Sequence, residues 1–468
     1  MKEKSRTKLL VTLGPSSADV DVLTDMIREG IDACRINFSH GDRGQHLSFM
    51  NLVKNINERM DTHVALLADL RGAKIRVGNI TGGSITLRPG ETFRLTVDGR
   101  TGDSSGVSVN YPPLPDEVEP GDVILLDDGR IRLEVTDTVP GDHVIARVIH
   151  GGVLLPGKGV NLPSSKLSLP GLTIADEEDA LFAAKNGVDW IAVSFVKSAE
   201  DMERLRKRLR GYEVRLIAKI ERSEAVRRLD EIVEASDAVM VARGDLGVEM
   251  NFDEVPILQK TIVRKCMESA TPVIIATQMM ESMIERSRPT RAEAADVANA
   301  VLDGADTLML SGETAMGRHP VLVVKSMQAI INTTEKHGMP PLRRSASPGS
   351  IPDFICRSAV DMAERAGARA IVTFTHSGYT AVRISSHRPE AGIFAFTTNP
   401  GLLSILSLVW GVRAFHLDST GHIKDYVQRS LEFLKKRDLV RKGDLVVHVG
   451  SIPLQLRGRT NMLKLTKV

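Results

Sequence analysis

Arg35, Asn37 and Ser39 alternate within Arg-Ile-Asn-Phe-Ser-His at 35–40, and Lys219 and Glu221 alternate within Ala-Lys-Ile-Glu at 218–221. Side chains two apart on a strand share a face, so each set converges if its strand persists to the end. A guanidinium beside two neutral oxygen ligands suits an anionic substrate next to a hard cation. Asp245 falls just past another apolar run, in a glycine-flanked turn of Val-Ala-Arg-Gly-Asp-Leu-Gly at 241–247. Glu221 and Asp245, from adjacent strands and with Lys219 beside one of them, would hold Mg²⁺ and leave positions open for phosphate oxygens and water. Oxygen-only ligation admits Mn²⁺ as well. Two more runs end in polar residues, Ala-Thr-Gln at 276–278 and Leu-Ser-Gly-Glu-Thr at 310–314.

Taken singly, each feature has a plainer explanation. A Lys-x-Glu pair is more often a solvated ion pair, and a Gly-Asp turn is ordinary turn chemistry. Convergence carries more weight. Polar groups cap at least five of eight otherwise apolar runs, all at the same end.

The elements that must position these groups are short apolar runs at 8–13, 33–38, 64–69, 190–195, 215–221, 238–242, 273–277 and 307–310, with helical segments between them such as 175–186, 199–209 and 291–302. Nearly continuous hydrophobicity marks buried parallel strands, and eight alternating β/α units predict a TIM (β/α)₈ barrel. Chemistry in that fold gathers at the C-terminal ends of the strands. Between the third and fourth runs, short strand-like segments alternate with turns at 82–83, 89–90, 127–129 and 140–141. They predict a small β-barrel domain inserted as a lid. The expected division is barrel over 1–72 and 158–340, lid over 73–157, and a C-terminal α/β domain over 351–468, after a linker at 339–350. Strands are expected in the last domain at 370–375, 392–397 and 444–449, with a helix at 352–366.

The 61 basic and 59 acidic residues nearly balance, giving a formal net charge of +2. This gives no reason to expect a nucleic acid or membrane-surface partner. Aromatics at 4% are too sparse for base stacking. No apolar stretch approaches a bilayer span, and the first residues do not read as a signal peptide. Three scattered cysteines suggest neither a disulfide framework nor a zinc site, so a cytoplasmic setting is expected.

Arg-Ile-Asn-Phe-Ser-His-Gly at 35–41, Gly-Lys-Gly-Val-Asn-Leu-Pro at 157–163, Lys-Ile-Glu at 219–221, Met-Val-Ala-Arg-Gly-Asp-Leu-Gly-Val-Glu at 240–249 and the run IATQMMESMIERSRPTRAEAADVANAVLDGADTLMLSGETA at 275–315 resemble the pyruvate kinase family over nearly the whole chain. The resemblance implies phosphoryl transfer from phosphoenolpyruvate to ADP, giving pyruvate and ATP in glycolysis. It implies Lys219 as the catalytic lysine, Arg35 on the phosphate, and Glu221 and Asp245 as Mg²⁺ ligands. Gly244, Asp245 and Thr277 would contact substrate. Asn37, Ser39, His40, Arg76 and Lys158 would face the nucleotide. Asn37, Ser39, Asp69 and the carbonyl of Leu70 would form a potassium site. A proton relay near Thr277 would involve Ser311 and Glu313. A homotetramer is also implied.

The chain departs from the family pattern at 69–76, Asp-Leu-Arg-Gly-Ala-Lys-Ile-Arg. Lys74 stands where potassium-requiring members carry glutamate, so potassium is expected not to be required. Thr375, Ser377, Gly378 and Thr380, with Arg457 and Arg459, match the loops that bind an effector phosphate, so a sugar phosphate or nucleotide activator is expected. A catalytically silent effector-binding protein would have lost Lys219, Glu221, Asp245 or Arg35; all four are present. Another barrel enzyme of phosphoenolpyruvate or pyruvate would not explain Arg76, Lys158 or the inserted domain.

Overall fold

Runs such as Val-Ile-Ile-Ala at 273–276 lack alternation because both faces are covered; all four residues are buried in the strand Val273–Ala276. In the computed structural model, which describes residues 5–338, 350–418, 423–452 and 460–468, this strand is one of eight that close a parallel barrel. The eight are Lys8–Thr12, Ala33–Asn37, Ala65–Asp69, Trp190–Val193, Arg215–Ile220, Ala238–Ala242, Val273–Ala276 and Thr307–Leu310, paired in that cyclic order. Each expected barrel strand is present, within two residues at its ends.

Alternation then divides the strands' side chains between two cores. Leu9, Val11, Cys34, Ile36, Leu66, Ala218 and Ile275 pack outward against the helices. Leu10, Ala33, Ala65, Leu67, Trp190, Ala192, Ile217, Ala238, Met240, Ile274 and Ala276 fill the interior, which continues into the C-terminal domain. Helix ends are well specified. Thr290 caps Arg291–Asp303 in a reciprocal capping box with Glu293, and Gly304 closes the helix with φ 97.

The insertion is a curled seven-stranded sheet in the order Ile75–Arg76, Gly159–Asn161, Val123–Leu126, Ile131–Val139, His143–His150, Thr92–Thr96 and Gly106–Ser108. Its two edges meet through the single bridge Val77–Val109, so the sheet nearly closes on itself. Gly159–Asn161 pairs within this sheet, with Ile75–Arg76 on one side and Val123–Leu126 on the other.

The C-terminal domain is a five-stranded sheet ordered Val412–His416, Gly392–Thr397, Ala370–Phe374, Leu445–Gly450 and antiparallel Met462–Lys467. The expected linker lies, apart from Ser350, outside the described residues.

His448 is fully buried on Leu445–Gly450, stacked against Phe374, and neither ring nitrogen has a hydrogen-bond partner among the described residues. Burial, helped by the charge of Lys464, pushes its pKa down to about 4 from 6.5. The folded state therefore holds a neutral ring that the unfolded chain protonates below pH 6.5. Its contribution is intact above pH 6.5 and is lost as pH falls toward 4, by about 3 kcal/mol. His448→Phe is expected to remove that loss. The check is the difference in unfolding free energy between pH 7.5 and 4.5, wild type against variant; equal acid losses would remove His448 as the cause.

Candidate active site

Apart from Lys8, Arg215 and Thr307, which meet the C-terminal domain at the strands' starts, the interior-facing positions of the barrel are apolar until the strands near their ends. There the same alternation delivers polar groups to one mouth. Leu10 is followed by Thr12, Ala33 by Arg35 and Asn37, Leu67 by Asp69, Ala192 by Ser194, and Ile217 by Lys219 and Glu221. Neighbouring strands keep these groups level, since Arg35 pairs in register with Leu67, and Asn37 with Asp69.

Asp69 is at the centre. Arg35 Nε donates to its Oδ2 at 2.6 Å, and Lys219 Nζ lies 3.1 Å from its Oδ1. Burial alone would raise the Asp69 pKa, but the charges and hydrogen bonds of Lys219 and Arg35 outweigh it and hold the carboxylate below its ordinary range. Lys219 Nζ also donates to Ser194 Oγ at 2.7 Å and stands 2.9 Å from Glu221 Oε1. Burial works against its charge, yet Asp69 and Glu221 raise its pKa above the usual lysine value, so it is an ammonium. Arg35 Nη1 reaches Thr12 Oγ1 at 3.0 Å. Two cations thus project into the mouth from a framework of buried carboxylates.

Glu221 has no exposed surface. Its Oε2 accepts from the Phe195 amide at 2.7 Å, while Oε1 has no donor in hydrogen-bonding alignment among the described residues. Burial, offset in part by Lys219 and reinforced by Asp245, raises its pKa. A fully buried carboxylate with a second carboxylate close by fits a hard divalent cation. Among the described residues no group of three or more His, Cys, Asp or Glu is gathered for a metal. Glu221 and Asp245 are two carboxylates close enough to raise each other's cost of ionisation. Asp245 lies in the first turn of the helix Arg243–Glu249, not in the open turn expected. Its Oδ1 accepts from Lys74 Nζ at 2.7 Å. Lys74 thus faces the site, and its partner is Asp245, away from the Asn37 and Asp69 group.

Thr277 follows inward-facing Ala276 and would point outward on a regular strand. Its φ of 70 and the φ of 55 at Gln278 turn the chain instead, a strained conformation for a β-branched residue. The Thr277 hydroxyl accepts from the Gly244 amide at 2.8 Å, and Arg243 Nη2 donates to its carbonyl at 2.6 Å. Glu313 is buried, and burial raises its pKa. Its two oxygens accept from the Met280 and Ser311 amides, so it braces the ends of the last two strands. Ser311 Oγ is buried without a hydrogen-bond partner among the described residues.

The second strand stops at Asn37, so Ser39 is in the following turn and donates its amide to Asn37 Oδ1 at 3.1 Å. His40 is exposed, and its carbonyl accepts from His46 Nε2. The Leu70 carbonyl accepts from Ser194 Oγ at 2.7 Å. Arg76 and Lys158 are neighbours on the lid; Arg76 Nη1 donates to Gly157 O at 3.0 Å, and Lys158 Nζ pairs with Asp127 at 2.7 Å. In the C-terminal domain Thr375 Oγ1 accepts from the Gly378 amide, and Thr380 and Thr460 share a buried hydroxyl contact. Ser377 is exposed. Arg457 and Arg459 lie outside the described residues.

Three contributors were not singled out from sequence: Thr12, Ser194 and Phe195. The strand alternation Trp190, Ala192, Ser194 would have found Ser194. Phe195, with φ 56, carries Arg222 over its ring at 5.1 Å; no pattern announces it.

Known proteins share this sequence and fold over nearly the whole chain. Residues 4–324 match the model of the pyruvate kinase barrel domain, and residues 353–466 that of the pyruvate kinase alpha/beta domain. A pyruvate kinase of Corynebacterium glutamicum is 44% identical over 460 residues, covering 98% of this chain and 96% of that protein. One of Mycobacterium tuberculosis is 42% identical over 470 residues, covering 99% and 98%. The crystal structure of a pyruvate kinase from Cryptosporidium parvum superposes with a TM-score of 0.91 at 34% identity, covering 99% of this chain and 96% of that one. With the barrel, the inserted sheet, the C-terminal domain and both family models in agreement, the chain belongs to the pyruvate kinase family.

Proposed function

We propose that the chain transfers the phosphoryl group of phosphoenolpyruvate to ADP, and that Lys219 is the group about which the reaction turns. The observation that carries this reading is the Lys219 ammonium, held between Asp69 and Glu221, with Arg35 on the other oxygen of Asp69. Phosphoryl transfer asks for alignment and charge neutralisation more than covalent work. Arg35 grips the phosphate, and Lys219 neutralises the phosphoryl oxygens and the enolate oxygen. Gly244, Asp245 and Thr277 hold the substrate. Asn37, Ser39, His40, Arg76 and Lys158 hold the nucleotide, with the lid excluding water so that ADP is the acceptor. Glu221 and Asp245 hold the divalent cation, Mg²⁺ or Mn²⁺. When bound, it supplies Lewis-acid charge to the transferring oxygens. Thr277, with the unpartnered Ser311 hydroxyl, guides the water that protonates the enolate carbon; Glu313 orients that turn.

Asn37, Ser39, Asp69 and the Leu70 carbonyl form the place where family members would take potassium. Here Asp69 already meets two cations and Lys74 adds a third charge at Asp245. Potassium added to sodium-free, potassium-free enzyme is expected to raise turnover by no more than about twofold; strong activation would defeat the Lys74 reading. The loop at Thr375, Ser377, Gly378 and Thr380 binds an effector phosphate, and the chain works as a cytoplasmic homotetramer. Among the described residues no helix is long and apolar enough to cross a membrane.

The test is pyruvate formation from phosphoenolpyruvate and ADP with Mg²⁺, with and without potassium. No turnover, even with sugar phosphates or AMP added, would favour a silent effector-binding protein.

A further inference from the structure

Lys74 enters the site along an unusual route. It immediately precedes the first lid strand, and its side chain crosses Gly159 on the neighbouring strand. A Cβ on Gly159 would stand 2.8 Å from Lys74 Cε and 3.6 Å from Nζ. The bare glycine therefore leaves the lysine its path. At the end of that path Nζ donates to Asp245 Oδ1 at 2.7 Å and lies 3.9 Å from Asp128 Oδ1.

Asn161 flanks the same crossing. Its Nδ2 donates to Glu249 Oε1 at 2.9 Å, but its Oδ1 is buried and has no hydrogen-bond partner among the described residues. The Cβ position on Gly159 is 3.9 Å from this oxygen, so the ammonium and the orphaned acceptor flank one point. A cavity of about 30 Å³, lined by Lys74, Asn161, Phe195, Arg222 and Glu249, opens beside both. That is room enough for a group the size of a water or an ammonium. A buried acceptor without a donor is costly, and such exceptions call for an explanation.

We propose that Lys74 is a two-position residue, seated on Asp245 in the metal-free protein and transferred to Asn161 Oδ1 when a divalent cation takes Asp245. This rests on reading Asp245 as a ligand of that cation. The physical basis is competition. One carboxylate oxygen does not serve an ammonium at 2.7 Å and a doubly charged ion together, and the ion repels the ammonium it displaces. Asn161 Oδ1 is a neutral acceptor on the other side of the Gly159 crossing, and it gains its missing donor by the exchange. Lys74 is thereby a positioning residue, keeping Asp245 satisfied until the cation arrives.

The experiment is a Mn²⁺ titration of the metal-free full chain without substrates, with free Mn²⁺ counted by electron paramagnetic resonance. Lys74→Met is expected to tighten binding about tenfold by removing the competitor. Asn161→Leu is expected to weaken it about fivefold, because the ammonium loses its second seat. In the Lys74→Met background the Asn161→Leu effect is expected to vanish, since no ammonium remains to be moved. The cycle also cancels the loss of the Asn161–Glu249 bond, which both backgrounds share. Equal weakening by Asn161→Leu in both backgrounds would overturn the transfer and leave Lys74 a fixed repelling charge. No tightening in Lys74→Met would overturn the competition itself. Asn161→Ala is carried through the same cycle if the leucine variant does not fold. Asp245→Asn separates the two readings. Unchanged Mn²⁺ affinity there overturns the assignment of Asp245 and the proposal with it. Lost affinity there, with no tightening in Lys74→Met, overturns the proposal alone.

Discussion

Lys219→Met is expected to lower pyruvate formation by about 10³-fold or more, roughly 4 kcal/mol of transition-state stabilisation. Methionine keeps the length and the apolar stem, so the substitution removes little beyond the charge. That charge is the one most firmly fixed in the mouth. Asp69 and Glu221 hold it at 3.1 and 2.9 Å, and Ser194 fixes its direction at 2.7 Å. A donor so constrained pays no reorganisation as charge develops on the substrate, the condition under which electrostatic stabilisation is largest. Arg35 remains paired with Asp69 in the variant, so phosphate binding is weakened less than turnover. The expected signature is a fall in kcat with a modest change in KM for phosphoenolpyruvate. The two buried carboxylates left behind also cost stability, so rates are normalised to the folded fraction read by near-ultraviolet circular dichroism. Turnover within tenfold of wild type would take Lys219 out of the reaction.

The barrel and its mouth are legible because one rule writes both. Two-residue alternation sends Leu10, Ala33, Leu67, Ala192 and Ile217 inward, and the same count two residues on yields Thr12, Arg35, Asp69, Ser194 and Lys219. Where the backbone leaves the strand, the rule fails. Ser39 does not stay in phase with Asn37, because the strand ends first. Thr277 gains its place from a left-handed turn that no periodicity encodes. Asp245 reads as a turn residue between glycines, yet those glycines are accommodated in a short helix. The lid strands Gly106–Ser108 and Gly152–Leu154 have three residues each, too few to show a period. Met462–Lys467 is an edge strand paired on one side, and its burial does not alternate, since Lys464 and Leu465 are both exposed. The direction of Lys74 is the clearest loss. Residue type predicts a charge near the site, but only the pairing of Ile75–Arg76 with Gly159–Asn161 sends it to Asp245 rather than Asp69.

Glu221→Gln separates cation binding from the ammonium that Lys219→Met removes. It is expected to weaken Mn²⁺ affinity about 100-fold and turnover by 10²–10³, with excess Mn²⁺ restoring only part of the rate. The reason lies in what surrounds the two oxygens. Oε2 accepts from the Phe195 amide at 2.7 Å, so a glutamine turns its carbonyl oxygen to that amide and its NH₂ into the place of Oε1. That NH₂ then faces the Lys219 ammonium, donor against donor, where Oε1 stood 2.9 Å away. It also points two positive hydrogens at the position a cation would take. The opposite flip restores the Oε1 acceptor but sets the NH₂ against the Phe195 amide. Neither orientation satisfies the site, although volume and shape are kept. Lys219→Met, by contrast, leaves both carboxylates and removes a positive neighbour, so its Mn²⁺ affinity is expected to be equal to wild type or tighter. The pair of variants thus divides the site's electrostatics. One loses turnover and keeps the cation; the other loses both. Glu221→Gln with unchanged Mn²⁺ affinity would show that Oε1 serves Lys219 alone, and the cation would have to be sought beside Asp245 without it.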